Sequence, residues 1–172
     1  GVPQKRERVF FFAVRKDISV PTSDIFGCEP YLNLDIKEKH ITIGEIESDY
    51  NGIKPNNTIL NTMNSYIYGD KDLGVIHERI EGVRKKFSVK IVTDDCVCGT
   101  LRASANDTIR ADHNNINFSE LELIQIGSWS QDYDFKKQKV IYVLGMSVPP
   151  LAMYRISKEI QTQWLDKLKD KK

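Results

Sequence analysis

The apolar residues of the chain occur in short runs, and the first run begins close to the N-terminus. Val9 to Val14 are six successive apolar residues, three of them aromatic. A run without alternation is typical of a strand covered on both faces, as in a parallel sheet flanked by helices. Arg15, Lys16 and Asp17 end the run. We therefore predict a buried strand over residues 9–14, although no clear series of strands and helices follows to supply its neighbours.

The middle of the chain, residues 49–110, is rich in Asn, Gly, Asp and Thr. A short amphipathic stretch at residues 42–48 precedes it and could form a helix. Within it, runs with strand-forming residues are predicted at residues 65–68, 87–93 and 97–101. Turns are predicted at residues 51–52 and 55–57, and one helix at residues 74–83. This pattern indicates an irregular, mostly-β module. Loops of this kind carry recognition more often than they carry core.

The last third of the chain has helix signals. Ser119 followed by Glu122 is a capping box, and Gly127 follows the apolar residues behind it. Residues 139–144 form another strand-like run. Pro149 and Pro150 suit the first turn of a helix. The helix that they begin shows apolar residues at steps of three or four and a lysine-rich end: Met153, Ile156, Ile160, Trp164 and Leu168, then Lys167, Lys169, Lys171 and Lys172.

Composition excludes several classes of protein. The chain is 40% hydrophobic and 28% charged, so it can bury a core. Its 25 Lys and Arg against 24 Asp and Glu give a net charge of +1, which excludes a uniformly basic packaging protein. Nucleic-acid contact would have to use local patches. The richest is Arg79, Arg84, Lys85, Lys86 and Lys90, which could bind phosphates or form a plain solvated face.

The cysteines and the lengths of the apolar runs indicate the cellular compartment in which the protein is expected. No apolar run approaches the roughly 20 residues that span a bilayer, so we expect no membrane partner. Three cysteines in a chain without an export signal favour reduced thiols in the cytoplasm. Cys96 and Cys98 have the wrong spacing for a zinc knuckle, and we expect them to be small buried side chains in a strand. No metal site and no catalytic triad are predicted.

Two segments carry candidate chemistry. Arg6 and Arg8 alternate with Glu7, so an extended backbone directs both guanidinium groups to one side, where they could grip a phosphate or a carbonyl oxygen. The alternative is a solvated charge cluster. The second segment, residues 145–150, predicts a tight turn with exposed amides before a helix, which could bind an anion or a polar ligand. An ordinary connector between two elements is the alternative there.

Taken in order, these segments resemble the cytosine-5 DNA methyltransferases. Gln4, Arg6 and Arg8 before an apolar strand resemble the family's eighth motif, Gln-x-Arg-x-Arg. Residues 145–150 (GMSVPP) are similar to the tenth motif, and residues 100–104 (TLRAS) to the ninth, which centres on Thr-Leu. Residues 118–134 resemble the helix and linker before the tenth motif. Residues 30–92 match nothing, which fits the family's variable target-recognition region.

The resemblance implies a recognition half without its catalytic half. Family members bind S-adenosylmethionine, flip a cytosine out of duplex DNA, attack carbon 6 with a Cys and methylate carbon 5. The sequence has no Pro-Cys, Phe-x-Gly-x-Gly or Glu-Asn-Val and no initiator Met. We therefore expect the later portion of a longer protein, inactive alone and partnered by double-stranded DNA and a separate catalytic half. The alternatives are a stand-alone DNA-binding or regulatory module and a generic protein-interaction domain.

The resemblance also assigns roles to individual residues. It implies that Arg8 approaches the flipped cytosine or its flanking phosphate, that Arg6 supports Arg8, and that Gln4 fixes the loop at the DNA. Thr100 is implied to bind a phosphate beside the target nucleotide. The family's cofactor contacts fall on Met146, Ser147 and Val148, where Met146 departs from the usual Asn.

For the fold we predict α+β. An irregular mostly-β target-recognition domain is flanked by one strand and a long C-terminal helix that belong to an incomplete Rossmann-like catalytic domain. The expected boundaries are 1–25 for the catalytic-domain strand, 26–118 for target recognition and 119–172 for the return to the catalytic domain. Exposed apolar surface predicts self-association. The expected setting is cytoplasmic, in a bacterium or encoded by a phage.

Overall fold

The computed structural model describes residues 2–22, 30–104 and 107–169 and shows an α+β fold with a three-stranded mixed sheet and several helices. Predictions that concern Gly1, Cys28, Lys171 and Lys172 lie outside the described residues. The boundary expected between residues 25 and 26 also lies there. Both domain boundaries stay predictions.

The sheet is small and lies in the middle of the chain. Strand β1 is Lys90–Val92, β2 is Thr108–Arg110 and β3 is Ile116–Asn117, in the order β1-β2-β3. β1 and β2 are parallel with Ile91 opposite Ile109, whereas β2 and β3 are antiparallel. The strand predicted within residues 87–93 is therefore confirmed, in shorter form.

Two helices precede the sheet. Helix α1 is Asn57–Met63 and α2 is Leu73–Glu81, and the side chains of Asn56 and Asp72 cap their first turns. α2 was predicted and ends at Gly82, whose φ of 72° suits a residue without a Cβ. α1 replaces a predicted turn, because Asn56 begins a helix there. The mostly-β module was thus wrong: helices hold more of this region than strands do.

The stretch predicted as a helix over residues 42–48 is a single 3₁₀ turn, Ile43–Glu45. Its capping box joins Thr42 and Glu45, with the Thr42 amide donating to Glu45 Oε2 at 2.8 Å. Lys39 Nζ lies 2.8 Å from Glu45 Oε1. These donors hold Ile43, which is 1% exposed, in the core.

We expect the Glu45 carboxyl to titrate well below an ordinary glutamate. The hydrogen bond from Lys39 and then that from the Thr42 amide lower its pKa from 4.5 to about 2. Because the pKa of Glu45 is lower in the folded than in the unfolded state, these contacts stabilise the fold fully at a pH above the unfolded-state pKa. That stabilisation is lost as the pH falls toward the folded-state pKa. Side-chain NMR titration measures this directly. Glu45→Gln should flatten the acid side of a plot of unfolding free energy against pH. Glu120→Gln, at an exposed glutamate, is the matched control. Equal plots for the two variants would contradict the assignment.

The C-terminal third is helical. α3 is Glu120–Ile126 with the predicted capping box between Ser119 and Glu122. α4 is Val140–Met146, so the strand expected over residues 139–144 was wrong: Val140 and Leu144 lie one helical turn apart and both are buried. α5 is Pro150–Ile160, and the helix continues through a π-turn at Gln161–Leu165 into α6, Asp166–Lys169. The long C-terminal helix is confirmed.

The main core joins the middle of the chain to its C-terminal helices. Its buried members come from the 3₁₀ turn, β1, the 98–101 segment, α3 and α4: Ile43, Val92, Cys98, Leu101, Phe118, Leu123, Ile126, Val140 and Leu144. A second cluster packs α1 and α2 on β1 and β2. The 98–101 segment and the helices α3 and α4 therefore share one apolar interior.

A buried charge pair lies beside this core. Arg110 and Glu122 have side chains 3% and 0% exposed and form an ion pair between β2 and α3. Arg110 Nη2 also contacts Asp94 Oδ1 at 2.8 Å, and Ser48 contacts both members of the buried pair. Burial raises the pKa of Asp94, but the hydrogen bonds from Arg110 and His113 outweigh it, and the net direction is downward.

The buried strand expected over residues 9–14 was wrong. The segment is extended but belongs to no strand, and Val9 and Phe11 are 80% and 94% exposed. A strand buried on both faces needs neighbouring strands and covering layers. The described residues place no strand beside this segment, and the edge contact of Phe12 with Trp164 covers only part of it. Residues 65–68 form a turn region and residues 97–101 contain only a bridge from Cys98 to Gln4, so those runs are not strands either.

Two further properties concern membranes and metals. The stretch Val140–Leu168 contains a window with mean hydropathy 1.2, which by length and composition alone would cross a membrane. Core helices of soluble proteins have the same length and composition, and the absence of a membrane partner stays a prediction. No group of three or more His, Cys, Asp or Glu side chains suited to a metal ion occurs within the described ranges.

Candidate functional site

Arg6 joins three distant segments of the chain. Its Nη2 donates to the Gly145 carbonyl at 2.7 Å, and its Nη1 donates to the Leu101 carbonyl at 3.1 Å and to Gln4 Oε1 at 3.4 Å. A planar guanidinium suits this task because its donors diverge at fixed angles. The N-terminal segment, the Thr100-Leu101 pair and the end of α4 therefore meet at one side chain.

The backbone reinforces this junction. Gln4 forms a parallel bridge with Cys98, the Lys5 amide donates to the Cys98 carbonyl at 2.7 Å, and Thr100 Oγ1 donates to the Lys5 carbonyl at 2.8 Å. Gln4 itself is buried. The segments around residues 6, 100 and 145 therefore lie together in the structure.

Gly145 allows α4 to approach the segment that follows Leu101. A Cβ at Gly145 would lie 2.1 Å from the Ala103 amide nitrogen and 2.6 Å from the Arg102 carbonyl carbon. Real Cβ atoms essentially never come so close, so the junction requires glycine there. The contact that Arg6 makes with the Gly145 carbonyl depends on the same close approach.

A cleft of about 520 Å³ opens beside Arg6, and we name it the arginine cleft. The N-terminal segment lines it with alternate residues, Gln4, Arg6, Arg8 and Phe10, although Glu7 also contributes. Arg6 and Arg8 thus line the same cleft, but Glu7 between them lines it too, so the prediction that alternation separates their directions from that of Glu7 stays a prediction. The opposite walls come from residues 36–40 and from the start of α5: Ile36, Glu38, His40, Val148, Pro149, Ala152, Arg155 and Ile156.

The wall formed by residues 36–40 was not predicted. Ile36, Glu38 and His40 alternate along an extended segment and line the arginine cleft, and Glu38 forms an ion pair with Arg155 at 2.7 Å. This segment lies in the part of the sequence that matched no motif. Its one available signal was the same two-residue spacing that identified Arg6 and Arg8.

The two arginines of the N-terminal segment differ in their environment. Burial and then the nearby charge of Arg8 lower the pKa of Arg6. Both terminal nitrogens of Arg6 are bound to oxygens of the chain itself. Arg8 is exposed, and its Nη1 donates to the adjacent Glu7 carbonyl at 2.7 Å, which leaves other donors facing solvent. Arg6 is therefore built to hold the junction, whereas Arg8 is the arginine able to meet a ligand.

The three residues expected at the cofactor do not share one surface. Val148 lines the arginine cleft, whereas Met146 ends α4 with 68% of its surface exposed and does not line the cleft. Ser147 Oγ donates to the Leu144 carbonyl at 3.0 Å and accepts from Trp129 Nε1 at 3.3 Å. The Ser147 amide completes α4, so the predicted turn with exposed amides is wrong at that residue.

Cys98 is not an activated nucleophile. Cys98 is 1% exposed, and burial raises its pKa to about 12, so its thiol stays protonated at neutral pH. Cys96 is half-buried and lies 3.3 Å from the Thr93 hydroxyl. Neither belongs to a strand, which corrects that prediction.

Acidic side chains neutralise much of the basic patch around residues 79–90. Arg79 pairs with Asp70, Arg84 with Asp72 and Glu78, Lys85 with Glu81, and Lys90 lies 3.6 Å from Asp72. No ion pair joins Lys86 to another residue in the part of the chain that the structure describes. The structure thus favours a solvated, ion-paired face for most of this patch and sets Lys86 apart from it.

Comparison with known proteins identifies the family. A model of the C-5 cytosine-specific DNA methylase family matches residues 1–162. No curated protein and no solved structure gave a match. Because the family match covers nearly the whole chain, including the junction at Arg6 and the arginine cleft, the chain belongs to the C-5 cytosine-specific DNA methylase family, whose activity is the methylation of cytosine in DNA.

Proposed function

We propose that this chain is the target-recognition and C-terminal portion of a DNA cytosine-5 methyltransferase. The observation that carries the proposal is the junction at Arg6, which joins the Leu101 and Gly145 carbonyls at the wall of a cleft that also contains Arg8. The sequence contains no Pro-Cys. The chain therefore acts with a partner piece that supplies the nucleophile, and it is inactive alone.

In this proposal Arg6 is a positioning residue and Arg8 contacts the substrate. The terminal nitrogens of Arg6 donate to backbone oxygens, and these bonds fix the direction of the extended segment. They therefore also fix the position of Arg8. A cytosine can react only outside the base stack, so it must enter a cleft of this kind. Arg8 donates to the cytosine's exocyclic oxygen or to its flanking phosphate, and a donor placed there stabilises charge that develops on the ring.

Thr100 contacts the phosphate beside the target nucleotide. Its side chain is exposed, and its hydroxyl donates to the Lys5 carbonyl. A phosphate oxygen can only accept hydrogen bonds, so DNA binding requires the Thr100 hydroxyl to turn from Lys5 to the phosphate. Gln4 remains buried at the junction and supports the loop without reaching the DNA.

The family generally uses S-adenosylmethionine as methyl donor. Of the three residues expected to bind it, only Val148 lines the arginine cleft, so Met146, Ser147 and Val148 do not fit as a joint cofactor surface. Val148, Pro149 and Ala152 can supply an apolar wall. The main cofactor contacts are assigned to the partner piece.

The exposed apolar residues of the N-terminal segment provide contact with that piece. Val9, Phe11 and Phe12 are 80%, 94% and 40% exposed. Large apolar side chains left together at the surface mark sites of association. If the partner piece adds a strand and a covering layer beside residues 9–14, it buries the segment for which the sequence predicts a buried strand. Self-association through the same residues competes with this contact.

The test mixes the chain with a separate polypeptide that carries the Pro-Cys half and measures methyl transfer into duplex DNA. We expect activity only in the mixture. Arg8→Ala should lower kcat/KM about 100-fold, the usual effect of losing one donor that acts on developing charge.

Arg15→Ala is the matched control, since Arg15 is an exposed arginine of the same segment that pairs with Asp17. Activity of the Arg8 variant within twofold of the parent would refute the role of Arg8. A stand-alone DNA-binding module would instead bind duplex DNA and gain no activity from the second piece.

A further inference from the structure

Residues 82–90, which are the loop after α2 together with Lys90 at the start of β1, have unusual surface chemistry. Four of the nine residues are cationic and none is acidic: Arg84, Lys85, Lys86 and Lys90. Two apolar side chains among them, Val83 and Phe87, are 53% and 61% exposed. Large apolar groups exposed among cations suit a polyanion that also offers apolar surface, which describes the bases and sugars of DNA.

The backbone gives this loop a defined shape. Gly82 and Lys86 both have left-handed φ values, 72° and 53°, so the chain turns sharply at the end of α2 and again four residues later. The Val89 amide donates to the Lys86 carbonyl at 3.0 Å, and Lys90 Nζ donates to the Phe87 carbonyl at 3.2 Å. These contacts hold Phe87 at the outside of the turn.

Arg102 joins the loop to the junction at Arg6. Its Nη2 donates to the Ser88 carbonyl at 3.1 Å and forms an ion pair with Asp107. The backbone on either side of this side chain belongs to the junction: the Leu101 carbonyl accepts from Arg6, and the Arg102 and Ala103 backbone packs on Gly145. A short chain of contacts thus runs from the arginine cleft to the loop.

We infer that residues 82–90 are a DNA-contact loop, and that Arg102 is the positioning residue that sets its place relative to the arginine cleft. The inference rests on the proposed function, because it assigns a second contact on the same DNA. Phe87 contacts a base or sugar near the target cytosine. Lys86, whose ammonium has no ion pair among the described residues, contacts a phosphate. The cations paired with α2 contribute less.

The test uses the whole chain, mixed with the polypeptide that carries the Pro-Cys half, and a fluorescent mixed-sequence duplex. A photoreactive p-benzoylphenylalanine in place of Phe87 should cross-link to the DNA, whereas the same group in place of Ile53, which is 74% exposed on a different loop, should not. Lys86→Ala should reduce the slope of log affinity against log salt by about one, since one phosphate contact is lost.

Arg102→Ala should lower the cross-link yield at position 87 about fivefold while the salt slope is retained, an uncoupling expected of a positioning residue. Arg102→Lys, which keeps the charge but not the planar fork, should restore the yield only in part.

Failure of the inference differs from failure of the proposed function. If the chain binds DNA and position 87 does not cross-link more than position 53, the loop assignment is overturned and the proposed function stands. If Arg102→Ala leaves the yield at position 87 unchanged, the positioning role is overturned. Absence of any duplex binding by the mixture of the parent chain and the Pro-Cys polypeptide would overturn the proposed function and this inference together.

Discussion

Gly145→Ala should destabilise the chain by about 3 kcal/mol, the upper part of the range for forcing one carbon into a packed site. The added Cβ would overlap the backbone nitrogen and Cα of Ala103 at 2.1 and 2.4 Å. Backbone atoms cannot rotate away as a side-chain tip can, so α4 must move from the junction. The Gly145 carbonyl then leaves Arg6. Urea unfolding followed by far-UV circular dichroism measures the loss.

The same experiment contains its control. Gly99 is exposed, and a Cβ there would meet no atom within 4 Å, so Gly99→Ala should change the free energy of unfolding by less than about 0.5 kcal/mol. Both substitutions reduce the backbone freedom of the unfolded chain in the same way, so their difference isolates the contact. Equal stabilities for the two variants would rule out the close approach of α4 to Ala103.

Arg110→Met should cost about 3–5 kcal/mol, because it leaves the fully buried carboxylate of Glu122 without its cation. Glu122 would still accept from the Ser119 amide at 2.8 Å and from the Ser48 hydroxyl, but two neutral donors do not replace a paired charge. The expected result is a large fall in the free energy of unfolding with no change in the denaturant slope, measured by urea titration.

Two further variants separate charge burial from simple loss of packing. Arg110→Met combined with Glu122→Gln removes both charges and should recover about half of the loss. Arg15→Met breaks an ion pair whose side chains are 75% and 64% exposed, and should cost less than about 1 kcal/mol. A cost for Arg110→Met as small as that for Arg15→Met would mean that the buried pair contributes nothing.

Helices with local signals were predictable from the sequence. α3 has its capping box at Ser119 and Glu122, and α5 has a proline start and apolar residues at helical spacing. Both signals lie within a few residues of the element they define, so tertiary context is not needed to read them. The alternation of Arg6 and Arg8 is a local signal of the same kind, since it requires only an extended backbone.

Short apolar runs were not predictable in the same way. The sequence predicts a strand at residues 9–14 and another at residues 139–144. Residues 9–14 are extended and largely exposed, whereas residues 139–144 begin helix α4. A run of six apolar residues fits a buried strand or a buried helix equally well, and packing partners decide between them. The partners of residues 139–144 are α3 and the core, which the sequence does not show locally.

Contacts over long sequence separations were also missed. The buried ion pair joins Arg110 to Glu122, which lie 12 residues apart. The sequence pattern identifies Glu122 only as a capping residue. The wall of the arginine cleft at residues 36–40 is held from the far end of the chain. No local pattern reports either contact, because each depends on how separate elements pack.

The C-terminal helix determines more than its own position. At its π-turn, Trp164 Nε1 donates to the Tyr31 carbonyl at 2.7 Å, and Gln163 exchanges two hydrogen bonds with the Asn33 backbone at 2.8 and 2.9 Å. An ordinary α-helical turn would rotate these two side chains away from that backbone. The π-turn thus ties residues 31–33 to the final helix, and the chain runs on from them into residues 36–40, which line the arginine cleft. The other walls of the cleft lie within the first ten residues and at the start of α5, so the cleft is complete only when both ends of the polypeptide are in place.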